Sequence, residues 1–204
     1  PQGYFGGGEA DMRFSSMISA AWVLVIATCV TWRAGADEEP PVARWTLDRK
    51  HVRGARVRPS EGKLTGRIYG KAAVSSQKPQ CLVLSGNKSR VLLSEGIDRK
   101  SLPGESLSVE AWVRVREVRE WSGIISVIQD NGPFEKGWCL GANGGRFFFC
   151  LSSAGSDDGD GKLTYLKAPA DYLTGYWYHV VGTYNGKVQK LYVDGKMEIG
   201  RAHV

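Results

Sequence analysis

The sequence is poor in the residues from which metal centres and nucleophilic sites are usually assembled. Of 204 residues, 3 are histidine and 4 are cysteine, and no group of them has the spacing of a zinc site. No G-x-S-x-G segment is present to lift a serine onto a strained elbow, so the usual sign of a serine hydrolase is missing. There is no internal repeat, which excludes solenoids and propellers. Neither a coiled-coil heptad nor a long amphipathic helix can be traced. Long apolar runs are scarce as well, and the best of them, residues 17–30, is too short to cross a bilayer comfortably. What is present is 42% hydrophobic residues, enough to bury the core of one β-sandwich and unlike a disordered chain.

Charge is unevenly placed. The formal net charge is +6, and Arg44, Arg49, Lys50, Arg53, Arg56, Arg58, Lys63, Arg67 and Lys71 face only Asp48 and Glu61 over the same span. Such a segment either attracts an anionic partner, an acidic polysaccharide or a membrane surface, or is a solvated face near the start of the domain. The solvated face is the plainer reading. Nucleic acid is not expected, because the basic residues come without interleaved aromatics or a nucleic-acid-binding motif.

Residues 12–36 open on Arg13, run through the apolar stretch and close at Ala34-Gly35-Ala36, a small-x-small cleavage signal. They are expected to be a secretory signal peptide of bacterial type, removed before Asp37. A lipoprotein signal acylated at Cys29 and a retained anchor are the alternatives, and Thr28 fits a lipobox poorly. Residues 1–11 precede the first methionine, and Gly6-Gly7-Gly8-Glu9 is what an in-frame ribosome-binding stretch would encode; they are expected to be upstream carry-over. Residues 199–204 match the translation of a common sequencing adapter, which would place the natural continuation beyond about Glu198. The expected location is secreted, periplasmic or cell envelope, with membrane contact only through the signal segment.

Residues 37–42 form a polar, proline-bearing linker. Strands are expected from Ala43 to Asp48, within residues 62–73 after a long loop, and as a hairpin of residues 81–86 and 89–94 around Asn87-Lys88. Residues 106–115 alternate cleanly, with Leu107, Val109, Ala111, Val113 and Val115 on one face, as a half-buried antiparallel strand does. Residues 123–128 are apolar enough for a central strand. A turn centred on Gly144-Gly145 sets Trp138 opposite Leu151, Cys139 opposite Cys150 and Leu140 opposite Phe149. That register puts Trp138, Leu140, Phe147, Phe149 and Leu151 on the core face and brings two thiols together. Cys139 and Cys150 are therefore expected either to form a cross-strand disulfide or to remain two unlinked half-buried cysteines, and Cys81 to be a small core residue.

Two runs close on turn-forming pairs: Trp177 to Gly186, ending in Asn185-Gly186, and Lys190 to Gly195, ending in Asp194-Gly195. With Ser108-Val109-Glu110-Ala111-Trp112-Val113 upstream, they resemble the LamG-like jelly-roll domain of the concanavalin A-like lectin/glucanase group. The resemblance implies an all-β, two-sheet antiparallel jelly-roll sandwich over residues 43–198, missing its last strands. That group includes binders, spacers and a few enzymes, so fold alone does not give function.

Glucanases of the group hydrolyse sugars with paired carboxylates on an E-x-D-x-x-E strand, converging to about 5.5 Å. No such run occurs here. Glu110 stands alone on an outward face, Glu117 and Glu120 sit among arginines as surface ion pairs, and no catalytic residue is assigned. His179 either faces a ligand cleft or, as the family pattern implies, is held by packing and backbone hydrogen bonds. Calcium is the one cofactor expected, at Asp157, Asp158 and Asp160, whose carboxylates flank a glycine that permits tight curvature; several LamG-like domains bind it at one rim. Sugar stacking would use exposed aromatics, and Trp112, Trp121, Phe134, Tyr172 and Tyr176 are the candidates, from outward strand positions or loops. The expected function is a non-catalytic module that binds a glycan or an extracellular protein. An accessory N-terminal domain of a larger extracellular hydrolase is the alternative, and a structural spacer is the third possibility.

Overall fold

Alternating runs broken by glycine and aspartate turns fold without a helix among the described residues, which in this computed structural model are 40–93, 105–130, 135–152 and 162–202. The first strands are short: β1 (Ala43–Arg44), β2 (Val52–Arg53), β3 (Arg56–Val57) and β4 (Glu61–Gly62). Longer ones follow, β5 (Gly66–Val74), β6 (Leu82–Leu92), β7 (Leu107–Arg114), β8 (Ser122–Asp130), β9 (Glu135–Asn143) and β10 (Arg146–Ser152). The chain ends with β11 (Thr164–Lys167), β12 (Trp177–Tyr184), β13 (Val188–Val193) and β14 (Lys196–Ala202).

From β7 onward the strands build the expected antiparallel sandwich, with one sheet ordered β11-β10-β9-β8 and the other β14-β13-β12-β7. Its interior is filled by the inward positions of both sheets, among them Val109, Ala111, Val113, Leu140, Phe147, Phe149, Leu166, Val180 and Leu191. The β9–β10 hairpin has the register its sequence required, with Cys150 opposite Cys139 and Phe149 opposite Leu140. Gly144 and Gly145 take φ of 55° and 91° at the turn, the left-handed pair that a tight hairpin demands. Gln189 on β13 is fully buried, and its amide crosses the core to donate to the Phe149 carbonyl at 2.9 Å and the Thr164 carbonyl at 3.2 Å.

The segment before β7 differs from expectation. It forms a separate four-stranded sheet, β2-β3-β5-β6, over a small core of Leu47, Val57 and Leu82. The hairpin at Asn87-Lys88 is not made. β6 runs through, and both of its halves pair with β5, Lys71 opposite Ser85 and Tyr69 opposite Arg90. The surplus residues form a bulge opposite Gly70, where the Ser89 hydroxyl donates to the Ser85 carbonyl and accepts from the Lys71 N–H. Nor do residues 43–48 form one strand: Leu47 turns to φ 53°, and a turn follows. β8 is the edge of its sheet, not its centre. A bulge between Gly123 and Ile125 lets both Ile124 and Ile125 lean on the core, so the apolar run reflects irregularity and not burial on two faces.

The turn after Leu47 is stapled by the Asp48 carboxylate, which accepts from the Lys50 and His51 N–H groups and lies 2.8 Å from His51 Nδ1. Partial burial pushes the Asp48 carboxyl up, but the hydrogen bonds and charge of His51 outweigh it and hold the group below the usual range. A carboxyl depressed in the folded state adds stability above its unfolded value of about 4 and loses it as pH falls through the lower folded value. Asp48→Asn should therefore flatten the acid side of a plot of thermal midpoint against pH, and an unchanged acid limb would refute the staple.

Candidate binding rim

At one end of the sandwich three connections meet. Residues 115–121 join β7 to β8, residues 144–145 join β9 to β10, and residues 168–176 join β11 to β12. Backbone hydrogen bonds tie them together: Gly144 N–H to the Arg119 carbonyl, Tyr172 N–H to the Gly145 carbonyl and Gly175 N–H to the Val115 carbonyl. Arg146 Nε donates to Asp171 Oδ1 at 2.7 Å, fixing the start of β10 to the third connection. On this frame Val118, Trp121, Leu173 and Tyr176 are 49%, 55%, 64% and 63% exposed, although nothing in local folding requires apolar residues there.

Trp121 lies partly across the outward face of its sheet, edge-on to Phe148 at 5.9 Å and to Tyr165 at 5.5 Å between ring centroids. Its backbone φ is 49°, a left-handed conformation that costs a bulky residue about 1–3 kcal/mol. Beneath this cluster Cys139 and Cys150 are opposed as the register required, but both are free thiols, so the bridge weighed from the sequence is not formed. Burial pushes the Cys150 thiol up, and the hydrogen-bonded Cys139 thiol adds to the shift. A thiol kept protonated is a poor partner for disulfide exchange. Tyr165 is likewise pushed up, by burial first and then by its neighbours Cys150 and Glu135.

The five aromatic candidates separate. Trp121 and Tyr176 are exposed on the rim. Tyr172 is core: it is 6% exposed, its ring centroid is 4.7 Å from Phe147, and burial followed by the Asp171 charge raises its hydroxyl. Its connection folds back under Gly145, which no local pattern announced. Trp112 does point out of its sheet, but His179 stacks on it at 5.0 Å, and it packs against the buried Cys81 of the N-terminal segment. It is a covered residue and not a platform. Phe134, and the aspartates Asp157, Asp158 and Asp160 expected to hold calcium, lie outside the described residues. Among the described residues no group of three acidic, histidine or cysteine side chains is placed to hold a metal. Val118, Leu173 and Tyr165 were missed, although Val118 stands as a lone apolar residue among charged neighbours and Tyr165 alternates with Thr164 and Leu166, both buried.

Neither described histidine forms a catalytic relay. His179 Nε2 meets Glu110 Oε2 at 3.1 Å, while its backbone N–H donates to the Asp194 carboxylate and its carbonyl accepts from the Asp194 N–H. That is the packed, backbone-held role. Thr46, His51 and Asp48 are close together, but both oxygens approach the same ring nitrogen, Nδ1, whereas a triad needs one partner on each nitrogen.

A family model described as the concanavalin A-like lectin/glucanases superfamily matches residues 85–204. Pappalysin-1 of Mus musculus is 26% identical over 186 residues, covering 80% of this chain and 11% of that protein. Pappalysin-1 of Homo sapiens is 25% identical over 137 residues, covering 62% of this chain and 8% of that one. The chain thus spans about a tenth of the length of these relatives. Among solved structures, HCR/D-Sa-GBL1/C superposes with a TM-score of 0.56 at 16% identity, covering 79% of this chain and 39% of that one. The binding domain of Paraclostridial Mosquitocidal Protein 1 gives 0.54 at 12% identity, covering 91% and 40%. Those two likenesses concern the fold, and the family match covers more than half of the sequence. The chain belongs to the concanavalin A-like lectin/glucanases superfamily.

Proposed function

We propose that this chain is a non-catalytic recognition module of an extracellular or cell-envelope protein, gripping a glycan or another extracellular protein through the rim of residues 115–121, 144–145 and 168–176. The observation that carries this reading is the set of four apolar side chains held in water on connections bonded to one another. An exposed aromatic on a strained backbone is a feature that recognition sites retain and packing does not need. Membership of a lectin-like superfamily supports the glycan reading, and the fold shared with a binding domain is in keeping with recognition in general.

Glycan-array and extracellular-protein-array binding by the whole chain tests it. Trp121→Ala and Tyr176→Ala should each weaken the array signal about tenfold, as central aromatic anchors do, with little change in thermal midpoint. Full binding by both variants would show that the rim is not the site. A chain that binds nothing on either array is a spacer.

A second reading has its own support. The matched stretch is about a tenth of each Pappalysin-1 chain, and on that reading the module would be an accessory N-terminal domain of a larger extracellular hydrolase whose chemistry lies elsewhere. The sequence of the full-length gene tests this.

A further inference from the structure

The sheet β2-β3-β5-β6 carries charge that its own stability does not explain. Arg53 stands opposite Arg56, and Arg56 opposite Arg67, so three exposed arginines line up across three neighbouring strands. Strands lie about 4.8 Å apart, and like charges set directly opposite one another destabilise a sheet. Elsewhere arginines meet carboxylates, as in Arg44 with Glu61, Arg119 with Glu117 and Arg146 with Asp171. Among the described residues no carboxylate pairs with Arg53, Arg56 or Arg67. Two places along from Arg67 on the same face lies Tyr69, with Arg90 across from it. The Arg67 and Arg90 guanidiniums sit 5.6 and 4.8 Å from the Tyr69 ring centroid. The basic segment therefore does carry an interleaved aromatic, and stacking holds the two guanidiniums beside its ring.

The geometry points to an anion-binding face for a linear acidic polysaccharide bearing sulfate or carboxylate groups at regular intervals. Guanidinium forks match such groups with two parallel hydrogen bonds. A row that repeats at the strand spacing suits a polymer of repeating charge, whereas a single small anion calls for one convergent cradle. Other polyanions fit less well. None of the large exposed apolar residues among those described lies on β2, β3, β5 or β6, so nothing beside the row would enter a bilayer. Arg90 lies over the Tyr69 ring, where a nucleic-acid base would have to stack. This assignment takes only the extracellular setting from the function proposed above. The row lies on a different sheet from the rim and outside the residues matched by the family, so each surface can fail without the other.

The test titrates the whole chain with heparin, alginate, neutral dextran, phosphatidylserine vesicles and a single-stranded oligonucleotide at several salt concentrations. Heparin or alginate should bind, dextran should not, and affinity should fall linearly with salt on logarithmic axes. Arg56→Thr/Arg67→Thr should weaken polysaccharide binding about a hundredfold. The same double variant should melt no lower than the parent, because repulsion is relieved and threonine suits a strand. Undiminished polysaccharide binding by the double variant overturns the proposal. Stronger binding of vesicles or oligonucleotide than of either acidic polysaccharide also overturns it.

Discussion

Phe149→Ala is expected to lower the unfolding free energy by about 3–5 kcal/mol, the cost of emptying a fully buried aromatic site. Phe149 is 0% exposed at the middle of β10, surrounded by the inward residues of both sheets, and its carbonyl accepts the Gln189 amide. Domains of this size are stable by about 5–15 kcal/mol, so the single change would remove a large fraction of the total. Denaturant unfolding should show the midpoint moving down with its slope unchanged. A loss below about 1 kcal/mol would mean that the two sheets do not close on this ring as described.

Gly182→Val attacks the same contact from the other sheet. A Cβ at Gly182 would lie 2.5 Å from the Phe149 ring carbons, closer than any real contact, and the atoms it meets are a rigid buried ring. Overpacking of this kind costs about 1–3 kcal/mol, and the two extra methyl groups put valine at the upper end. The two predictions are coupled. Gly182→Ala should be harmful alone and partly rescued by Phe149→Leu, with a coupling of about 0.5–3 kcal/mol in a double-mutant cycle. Strict additivity would separate Gly182 from Phe149 and contradict the packing.

The features legible in the sequence are those governed by local pattern. The alternation of residues 107–115, the Gly144-Gly145 turn and the register it imposes, and the Asp194-Gly195 hairpin all follow from short-range rules, and the structure reproduces them. What could not be read depends on partners far along the chain. Asn87-Lys88 looks like a turn, but β5 with its Gly70 gap takes both flanking halves and outcompetes the hairpin. Trp112 has the outward parity expected of it, yet Cys81, some thirty residues earlier, comes to lie on it. Tyr172 sits in a connection and returns to the core. On the rim, Trp121 and Tyr176 were foreseen as surface aromatics, whereas their company with Val118 and Leu173 depends on three loops being drawn together.

Aliphatic and aromatic contacts are nearly indifferent to small sideways offsets between stacked sheets, but the buried amide of Gln189 is not. It grips carbonyls on β10 and β11 from a third strand in the facing layer, and shear between the layers would strand that amide in a dry interior at about 1–3 kcal/mol. One side chain thus acts as a dowel that selects a single lateral alignment. The connections of residues 115–121 and 168–176, which cross from layer to layer at the rim, inherit their spacing from that alignment.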